Sequence, residues 1–212
     1  PWLYPYGSND PANTLIWWVG PSYDQAKKYG FEPLKNAIPN RWIEGQPTES
    51  EPYEIELTNG LTYEFRTFDH PKTLQGAGVD HVVIDEADYM PDNLWYQDID
   101  PMLLDSGGSA MFISKPVRPR SYFQKYYDLG QSSDYPEYFS SHATSADNPY
   151  LAEDPEDKRG TVPEYDYQRE YLAELPDDGG EVFKELGERL FTETYALEGD
   201  IVQGVGEARR DP

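Results

Sequence analysis

Apolar and polar residues alternate along this chain in two different ways. Compact apolar runs predict β-strands, and apolar residues three or four positions apart predict helices. The predicted strands cover residues 15–19, 53–57, 61–68, 81–84, 110–114 and 138–144, and the predicted helices cover 22–38, 91–104, 121–129 and 165–175. Asn59-Gly60, between the second and third strands, is typical of a β-hairpin. This order of elements predicts an α/β fold with a mostly parallel sheet and helices on both faces.

Two aromatic-rich segments admit a second interpretation as nucleic-acid contacts. Trp17 and Trp18 could stack on bases, but their strand has the composition of a buried one, which favours core packing. Arg118, Arg120 and Lys125 form the one concentration of basic residues, on or beside the third predicted helix. They could contact phosphates, although an ordinary amphipathic helix explains them equally simply and is the favoured alternative.

The composition excludes several classes of site. The chain has 212 residues, of which 37% are hydrophobic and 15% aromatic, so its core would depend on Tyr, Trp and Phe. Cysteine is absent, which excludes disulfides and thiolate metal sites, and three scattered histidines do not predict a zinc site. No apolar run approaches the length of a membrane span and no signal peptide is present, so we expect a soluble, intracellular protein with no membrane partner.

The formal net charge of -23 has two interpretations. Forty acidic residues against seventeen basic ones would repel nucleic acid in dilute buffer. At molar salt the Debye length is about 3 Å, so the same carboxylates would be screened and would keep the protein hydrated. A halophilic surface is therefore our interpretation of the charge, and an acidic interaction face is the alternative.

The segment 81–88 (HVVIDEAD) carries the clearest chemical signal. A short apolar strand that ends directly in two acids is the Walker B arrangement of nucleotide hydrolases. In that arrangement Asp85 would bind the magnesium ion of a nucleotide, and Glu86 would orient or deprotonate the attacking water. The alternative is a strand that ends in a solvated acidic turn.

A second motif of such hydrolases does not occur in this sequence. They bind the β and γ phosphates with a G-x-x-x-x-G-K-[ST] loop, which this chain does not contain. We therefore expect the phosphate loop to precede Pro1 or to have been lost. On either account the isolated chain should bind ATP poorly.

Five segments form a series along the chain. They are 19–27 (VGPSYDQAK), 74–76 (LQG) followed by 81–88, 112–116 (FISKP), 146–151 (ADNPYL), and 167–183 (YQREYLAELPDDGGEVF). In this order they resemble the large terminase subunit of tailed viruses. The last two segments are the most distinctive, because they combine Asn148-Pro149 with a path into Gly179-Gly180.

The resemblance implies a fold and a reaction. It implies a RecA-like P-loop ATPase domain of the additional-strand class over residues 1–183, without its N-terminal phosphate-loop unit, and a linker or tail over 184–212 that leads to a nuclease domain. ATP and Mg²⁺ would be the cofactors. Asp85 would be the metal ligand and Glu86 the catalytic glutamate. Ser114 would belong to the coupling motif that senses the γ-phosphate, although its position also suits a plain strand-end residue.

The resemblance also implies partners and a setting. The ATPase would drive double-stranded viral DNA into a capsid, together with a portal protein and a small terminase subunit, as a homo-oligomeric ring. Combined with the acidic composition, it suggests a haloarchaeal virus or provirus and the cytoplasm of its host.

One position departs from the family. Many relatives have an arginine before the glycine that Gly76 matches, and that arginine is proposed to reach the nucleotide of a neighbouring subunit. Here the residue is Gln75. Arg66, Arg118 or Arg120 could replace it, and the sequence does not select among them.

Two alternative functions stay open. Residues 85–88 also spell the DEAD-box helicase signature, and Ser114 lies near the spacing of the third helicase motif. A helicase needs a second RecA-like domain, for which this chain has no room, and a threonine-arginine pair where Ser22-Tyr23 stand. The second alternative is a non-catalytic remnant of an ATPase, which keeps the sheet but no longer hydrolyses ATP.

Overall fold

The computed structural model describes residues 13–76 and 78–174, together with two short strands farther along the chain. The chain divides into two compact units, residues 1–176 and 177–212. In the second unit, strand Tyr195–Leu197 pairs antiparallel with Asp200–Val202. The remainder of the predicted linker or tail over 184–212 lies outside the described residues.

The first unit contains a five-stranded sheet. Its strands are β1 Leu15–Gly20, β2 Tyr53–Glu56, β3 Thr62–Thr67, β4 His81–Asp85 and β5 Ser109–Ile113. Their order is β2-β3-β1-β4-β5, and all neighbouring pairs are parallel except β2 with β3. The antiparallel pair is the hairpin predicted from Asn59-Gly60, and Gly60 has a φ of 87° that favours glycine. β4, which carries the acids, therefore lies between β1 and β5.

In the part of the chain that the structure describes, four helices accompany the sheet. Helix α1 runs through Tyr23–Gln25, Ala26–Phe31 and Glu32–Ala37; α2 runs through Asp92–Leu94, Trp95–Ile99 and Asp100–Ser106; α3 is Tyr122–Gln131 and α4 is Glu164–Tyr171. Single 3₁₀ turns lie at Asn40–Trp42, Pro71–Leu74, Ala87–Tyr89, Ser145–Asp147 and Pro155–Lys158. α4 ends before the predicted limit at residue 175. Within the described residues, no helix is long and apolar enough to cross a membrane.

The helices cover both faces of the sheet, as predicted. Successive side chains of a strand point to opposite faces, so Ile16 packs with Phe31 of α1, whereas Trp17 packs with Trp95 of α2 and with α3. Trp17 is fully buried, and Trp18 packs against the α1 side. Both tryptophans therefore serve the core, and the alternative of a base-stacking platform is wrong.

The two longest helices share an irregularity that the sequence analysis does not predict. The middle segment of each, Ala26–Phe31 and Trp95–Ile99, is π-helical and ends two residues before a proline. The N–H of Glu32 donates to Lys27, and that of Asp100 donates to Trp95, both five residues back. Because proline has no N–H and crowds the preceding turn, the wider π register lets the helix continue past it.

The strand predicted at 138–144 is wrong. This segment pairs with no strand and packs instead against the end of α3. The Ser140 hydroxyl donates to the Tyr127 carbonyl (2.7 Å), Gln131 Nε2 donates to the Ser140 carbonyl (3.1 Å), and Phe139 is exposed. The alternation of aromatic and polar residues resembles a strand, but the polar groups here bond to a helix rather than to a sheet edge.

Candidate active site

The acidic pair lies at the carboxyl end of β4. Val82 and Ile84 are fully buried, so β4 is fixed in the sheet on both sides, and Asp85 is its last residue. Glu86 follows with φ 52° and ψ 42°, a left-handed conformation that non-glycine residues seldom adopt. The chain then turns into the 3₁₀ turn Ala87–Tyr89. The strand thus delivers two half-buried carboxylates to one end of the parallel sheet, where open α/β sheets bind ligands.

The environment of the two carboxylates disfavours their charged forms. Burial raises the pKa of Asp85, and the Glu86 N–H, which donates to Asp85 Oδ1 (3.1 Å), opposes that rise. Burial also raises the pKa of Glu86, and the charge of Asp85 raises it further. Glu86 Oε2 is buried and has no hydrogen-bond partner among the described residues. A cation or a bound water would satisfy this oxygen.

The pair fits a magnesium ion carried by a nucleotide. Magnesium prefers oxygen ligands and commonly takes only one or two carboxylates from the protein, the rest from phosphate and water. In the described part of the chain, no group of three or more potential ligand residues could hold a metal ion alone. The site therefore suits an ion that arrives with its nucleotide better than a permanently bound one.

Ser114 lies at the end of β5, beside the turn that follows the acids. Its Oγ accepts a hydrogen bond from the Asp88 N–H (3.2 Å), and its hydroxyl donates to the Lys115 carbonyl (2.9 Å). The structure therefore brings Ser114 next to the acidic turn. Within the described residues, no hydrogen bond joins it to Asp85 or Glu86.

Asp88, the third acid of the segment 85–88, has no role that the sequence pattern predicts. It is fully buried, and its Oδ2 accepts from the N–H groups of Val117 (2.6 Å) and Arg118 (2.8 Å). Arg118 returns to the same turn, since its Nε donates to the Asp88 carbonyl (2.7 Å) and one terminal nitrogen donates to the Met90 carbonyl (2.9 Å) and to Asp92 (3.0 Å). We call Asp88, Arg118 and Asp92 the loop clamp, because they join the loop after β4 to the loop after β5.

The basic, aromatic helix α3 is part of this packing. The Tyr122 hydroxyl is buried and donates to the Ala87 carbonyl (2.6 Å), and its ring stacks on Trp95. Burial raises the pKa of Tyr122, so the phenol stays protonated. Trp95 also donates its indole N–H to the Tyr126 hydroxyl (3.1 Å). These contacts support the amphipathic-helix interpretation of α3.

Arginine is replaced by Gln75 at the family position. The three arginines that could take over its role differ in the ion pairs and hydrogen bonds that their side chains already form. Arg66 pairs with Glu64, donates to the Thr73 carbonyl and lies over the Trp17 ring. Arg118 belongs to the loop clamp. Arg120 is exposed and, in the part of the chain that the structure describes, its guanidinium forms no ion pair. Gln75 itself donates to Asp98 (2.8 Å).

Beyond Ser114, a chain of ion pairs leads from the site to α4. Lys115 Nζ lies 2.6 Å from Glu170 Oε2, and Arg169 holds the other oxygen of that carboxylate at 2.9 Å. The ion pair raises the pKa of Lys115 and lowers that of Glu170. Segments 55 residues apart in sequence thus meet beside the acidic pair.

Comparison with known proteins relates this chain to one group. No family model matches it. It is 30% identical to the "Terminase, large subunit" of Thermus virus P23-45 and to that of Thermus phage G20c, over 63% of this chain and 33% of each relative. The chain thus spans about a third of the length of these curated relatives.

Solved structures show the same likeness. The large terminase ATPase domain of Thermus phage P74-26 matches with a TM-score of 0.56 and 25% identity, over 78% of each chain. The large terminase of another thermophilic bacteriophage, in complex with ADP, matches at 0.59 and 21%, over 77% of this chain and 40% of that one. That of bacteriophage HK97 matches at 0.58 and 19%, over 80% and 41%. The predicted RecA-like P-loop fold with a mostly parallel sheet is confirmed.

Proposed function

We propose that this chain is the ATPase part of a terminase large subunit, which couples hydrolysis of magnesium-ATP to movement of double-stranded DNA into a viral capsid. The similarity in sequence to terminase large subunits and in fold to their ATPase domains supports this proposal. The observation that carries it is the half-buried pair Asp85 and Glu86 at the end of β4, with one Glu86 oxygen unpartnered among the described residues.

Glu86 is assigned as the catalytic glutamate. Its left-handed backbone places it directly after the strand, and its free buried oxygen is available to a water rather than held by a donor from the described chain. A carboxylate in that position can orient a water and accept its proton as attack begins.

Asp85 is assigned as the metal ligand. Magnesium, when bound with ATP, neutralises charge that develops on the phosphates. One Asp85 oxygen accepts from the Glu86 N–H, and the other, which accepts no hydrogen bond from the described residues, could face a cation. The thermophilic bacteriophage terminase that was solved with ADP was also solved with ATP-γ-S, which supports nucleotide as the ligand of this site.

Ser114 is assigned to the coupling of hydrolysis to movement. Its hydroxyl now donates to the Lys115 carbonyl, so contact with a γ-phosphate would require that hydroxyl to rotate. Because its Oγ also accepts from the Asp88 N–H, a shift at Ser114 would reach the loop after β4. These two hydrogen bonds support a role for Ser114 in sensing the nucleotide state.

The decisive experiment replaces one oxygen in the intact protein. Glu86→Gln should keep ATP binding and reduce hydrolysis at least ~100-fold, because it removes a proton acceptor needed in the transition state. Nucleotide binding and steady-state hydrolysis are measured side by side, with the exposed Glu56→Gln as the matched control. Hydrolysis by the Glu86 variant at the parent rate would show that the assignment is wrong.

The remaining assignments extend the proposal. Residues 1–183 form the ATPase part and 184–212 a linker or tail, which agrees approximately with the division into two compact units at residue 176. The partners are double-stranded viral DNA, a portal protein and a small terminase subunit, in a homo-oligomeric ring. The setting is the cytoplasm of a host, and the acidic composition supports a haloarchaeal one.

The comparisons do not favour a DEAD-box helicase, since the relatives and structures named above are large terminases. A remnant without hydrolysis is distinguished by the same measurements. Failure of the unsubstituted intact protein to bind ATP would support the remnant.

A further inference from the structure

Lys115 directly follows Ser114 at the carboxyl end of β5, next to the acidic pair. Its ammonium group pairs with Glu170 of α4 at 2.6 Å, and about a third of each side chain is exposed. Asp85 pairs with Ile113 in the parallel register of β4 and β5, so Lys115 follows two residues beyond the partner of Asp85, and its charge opposes the rise in the pKa of Glu86. A cation therefore stands at the edge of an otherwise acidic site.

A cation at this edge would favour binding of the ligand of the proposed function. A triphosphate carries more negative charge than one magnesium ion neutralises, and Asp85 and Glu86 would add negative charge beside it. Arg118, the cation of the neighbouring turn, has different partners because the loop clamp holds it. Among the described residues, Lys115 directly follows Ser114 beside the acidic pair and could oppose this charge with a small movement.

The second ion pair of Glu170, with Arg169, lowers the energetic cost of that movement. Glu170 uses Oε2 for Lys115 and Oε1 for Arg169, which approaches it through two nitrogens at 2.9 and 3.1 Å. If Lys115 turned toward an anion, Arg169 would still neutralise the carboxylate. The lysine also has a flexible stem and three donors, which suit a phosphate oxygen as well as a carboxylate.

We propose that Lys115 is a phosphate-binding residue of the nucleotide site, and that Glu170 holds it until the phosphates of ATP replace that carboxylate. This inference rests on the proposed function. It also makes α4 responsive to the ligand, because the ion pair between the β5 end and α4 opens when the nucleotide binds.

The test uses two substitutions whose effects have opposite signs. In the intact protein, Lys115→Met removes the cation and should weaken binding of ATP-γ-S about tenfold or more. Glu170→Gln removes the competing carboxylate and should strengthen binding by up to about fivefold, the range of an exposed ion pair. Dissociation constants are measured by calorimetry with magnesium present.

A purely structural ion pair would give a different pattern. If the pair only fastened α4 to the sheet, both substitutions would break it and both would weaken binding, which would overturn the proposal. Unchanged affinity in Lys115→Met would also overturn it. Lys115→Arg keeps the positive charge and should retain most of the affinity. That result would show that the loss of affinity in Lys115→Met does not come from misfolding. An equal loss of affinity in both variants would overturn the proposal.

Matched controls come from an ion pair elsewhere on the chain. Lys158 and Glu153 form a more exposed lysine–glutamate pair at 2.5 Å, and Lys158→Met and Glu153→Gln should leave the affinity for ATP-γ-S unchanged. If the unsubstituted intact protein does not bind ATP-γ-S, the proposed function fails and this inference fails with it. If the unsubstituted protein binds and Lys115→Met binds equally well, only this inference fails.

Discussion

Glu86 combines two features that cost stability at a single residue. Its backbone is left-handed, which costs an L-residue with a Cβ about 1–2 kcal/mol, and one of its carboxylate oxygens is buried without a partner among the described residues. Residues with such features concentrate at active sites, where surrounding structure holds them in place. Here β4 and the 3₁₀ turn Ala87–Tyr89 impose the conformation from both sides.

Two substitutions of Glu86 separate the energetic cost of its left-handed backbone from the effect of its carboxylate. Glu86→Gly and Glu86→Ala remove the same carboxylate, but only the alanine keeps a Cβ in the left-handed region. We expect the glycine variant to be more stable by about 1 kcal/mol in urea unfolding. At Glu32, whose backbone is helical, the same pair should show the reverse order by about 1 kcal/mol. The same order at both positions would contradict the strained conformation of Glu86.

Asp88 is expected to contribute most of the stability of the loop clamp. Asp88→Ala removes the oxygen that accepts from both Val117 and Arg118 and leaves the two N–H groups without that acceptor. We expect the free energy of unfolding to fall by about 3 kcal/mol, measured in urea. Asp105→Ala, at an exposed position of α2, should leave it within about 0.5 kcal/mol of the parent value. A similar small change for Asp88 would show that the clamp does not stabilise the fold.

Helix α1 illustrates how an element depends on the sheet below it. Gly30 lies in the π-helical segment, against Trp18 and Phe65. A Cβ added there would lie 2.8 Å from Trp18 and 2.9 Å from Phe65, closer than side-chain atoms pack. The glycine therefore sets how closely α1 approaches β1 and β3.

Gly30→Ala should reverse the usual effect of that change in a helix. Alanine ordinarily stabilises a helix interior by about 1 kcal/mol relative to glycine. Here we expect a loss of about 1–3 kcal/mol from crowding, measured by chemical denaturation. Asn36→Ala, on an exposed part of the same helix, should instead stabilise by about 0.5 kcal/mol. Stabilisation in both variants would indicate that α1 can move away from the sheet.

The elements that the sequence predicts well are those whose pattern is local. The hairpin at Asn59-Gly60, strand β4 and the two long helices follow from turn residues and apolar spacing. The strand prediction for 138–144 is wrong because the hydrogen-bond partners of this segment lie on α3. The local sequence pattern carries no information about those partners. The π-helical segments were not predicted for another reason. Apolar spacing indicates a helix, but it does not show to which preceding carbonyl each N–H donates.

The candidate site divides in the same way. Asp85 and Glu86 are adjacent in sequence and follow an apolar strand, so their position was predictable. The partners of Asp88 lie 29 and 30 residues away, and Glu170 lies 55 residues from Lys115. Such contacts depend on which loops the sheet order brings together. The third acid of 85–88 was the only local sign of the loop clamp.

The net charge of -23 belongs to the whole molecule and predicts a dependence on salt. At molar potassium chloride the Debye length shrinks to about 3 Å, so repulsion among carboxylates is screened. If the surface is halophilic, the melting temperature should rise between dilute buffer and molar salt, measured by circular dichroism. An unchanged or lower melting temperature would favour the alternative, an acidic face for a specific partner.

Strand β5 leaves one edge of the described sheet open. It borders the described sheet, pairs only with β4 there, and exposes Met111 and Ile113 by 44% each. An open strand edge with apolar side chains is a template for strand addition by another molecule. We therefore expect concentration-dependent association through β5, and assemblies of the isolated chain should be checked for that contact before any of them is taken for a packaging ring.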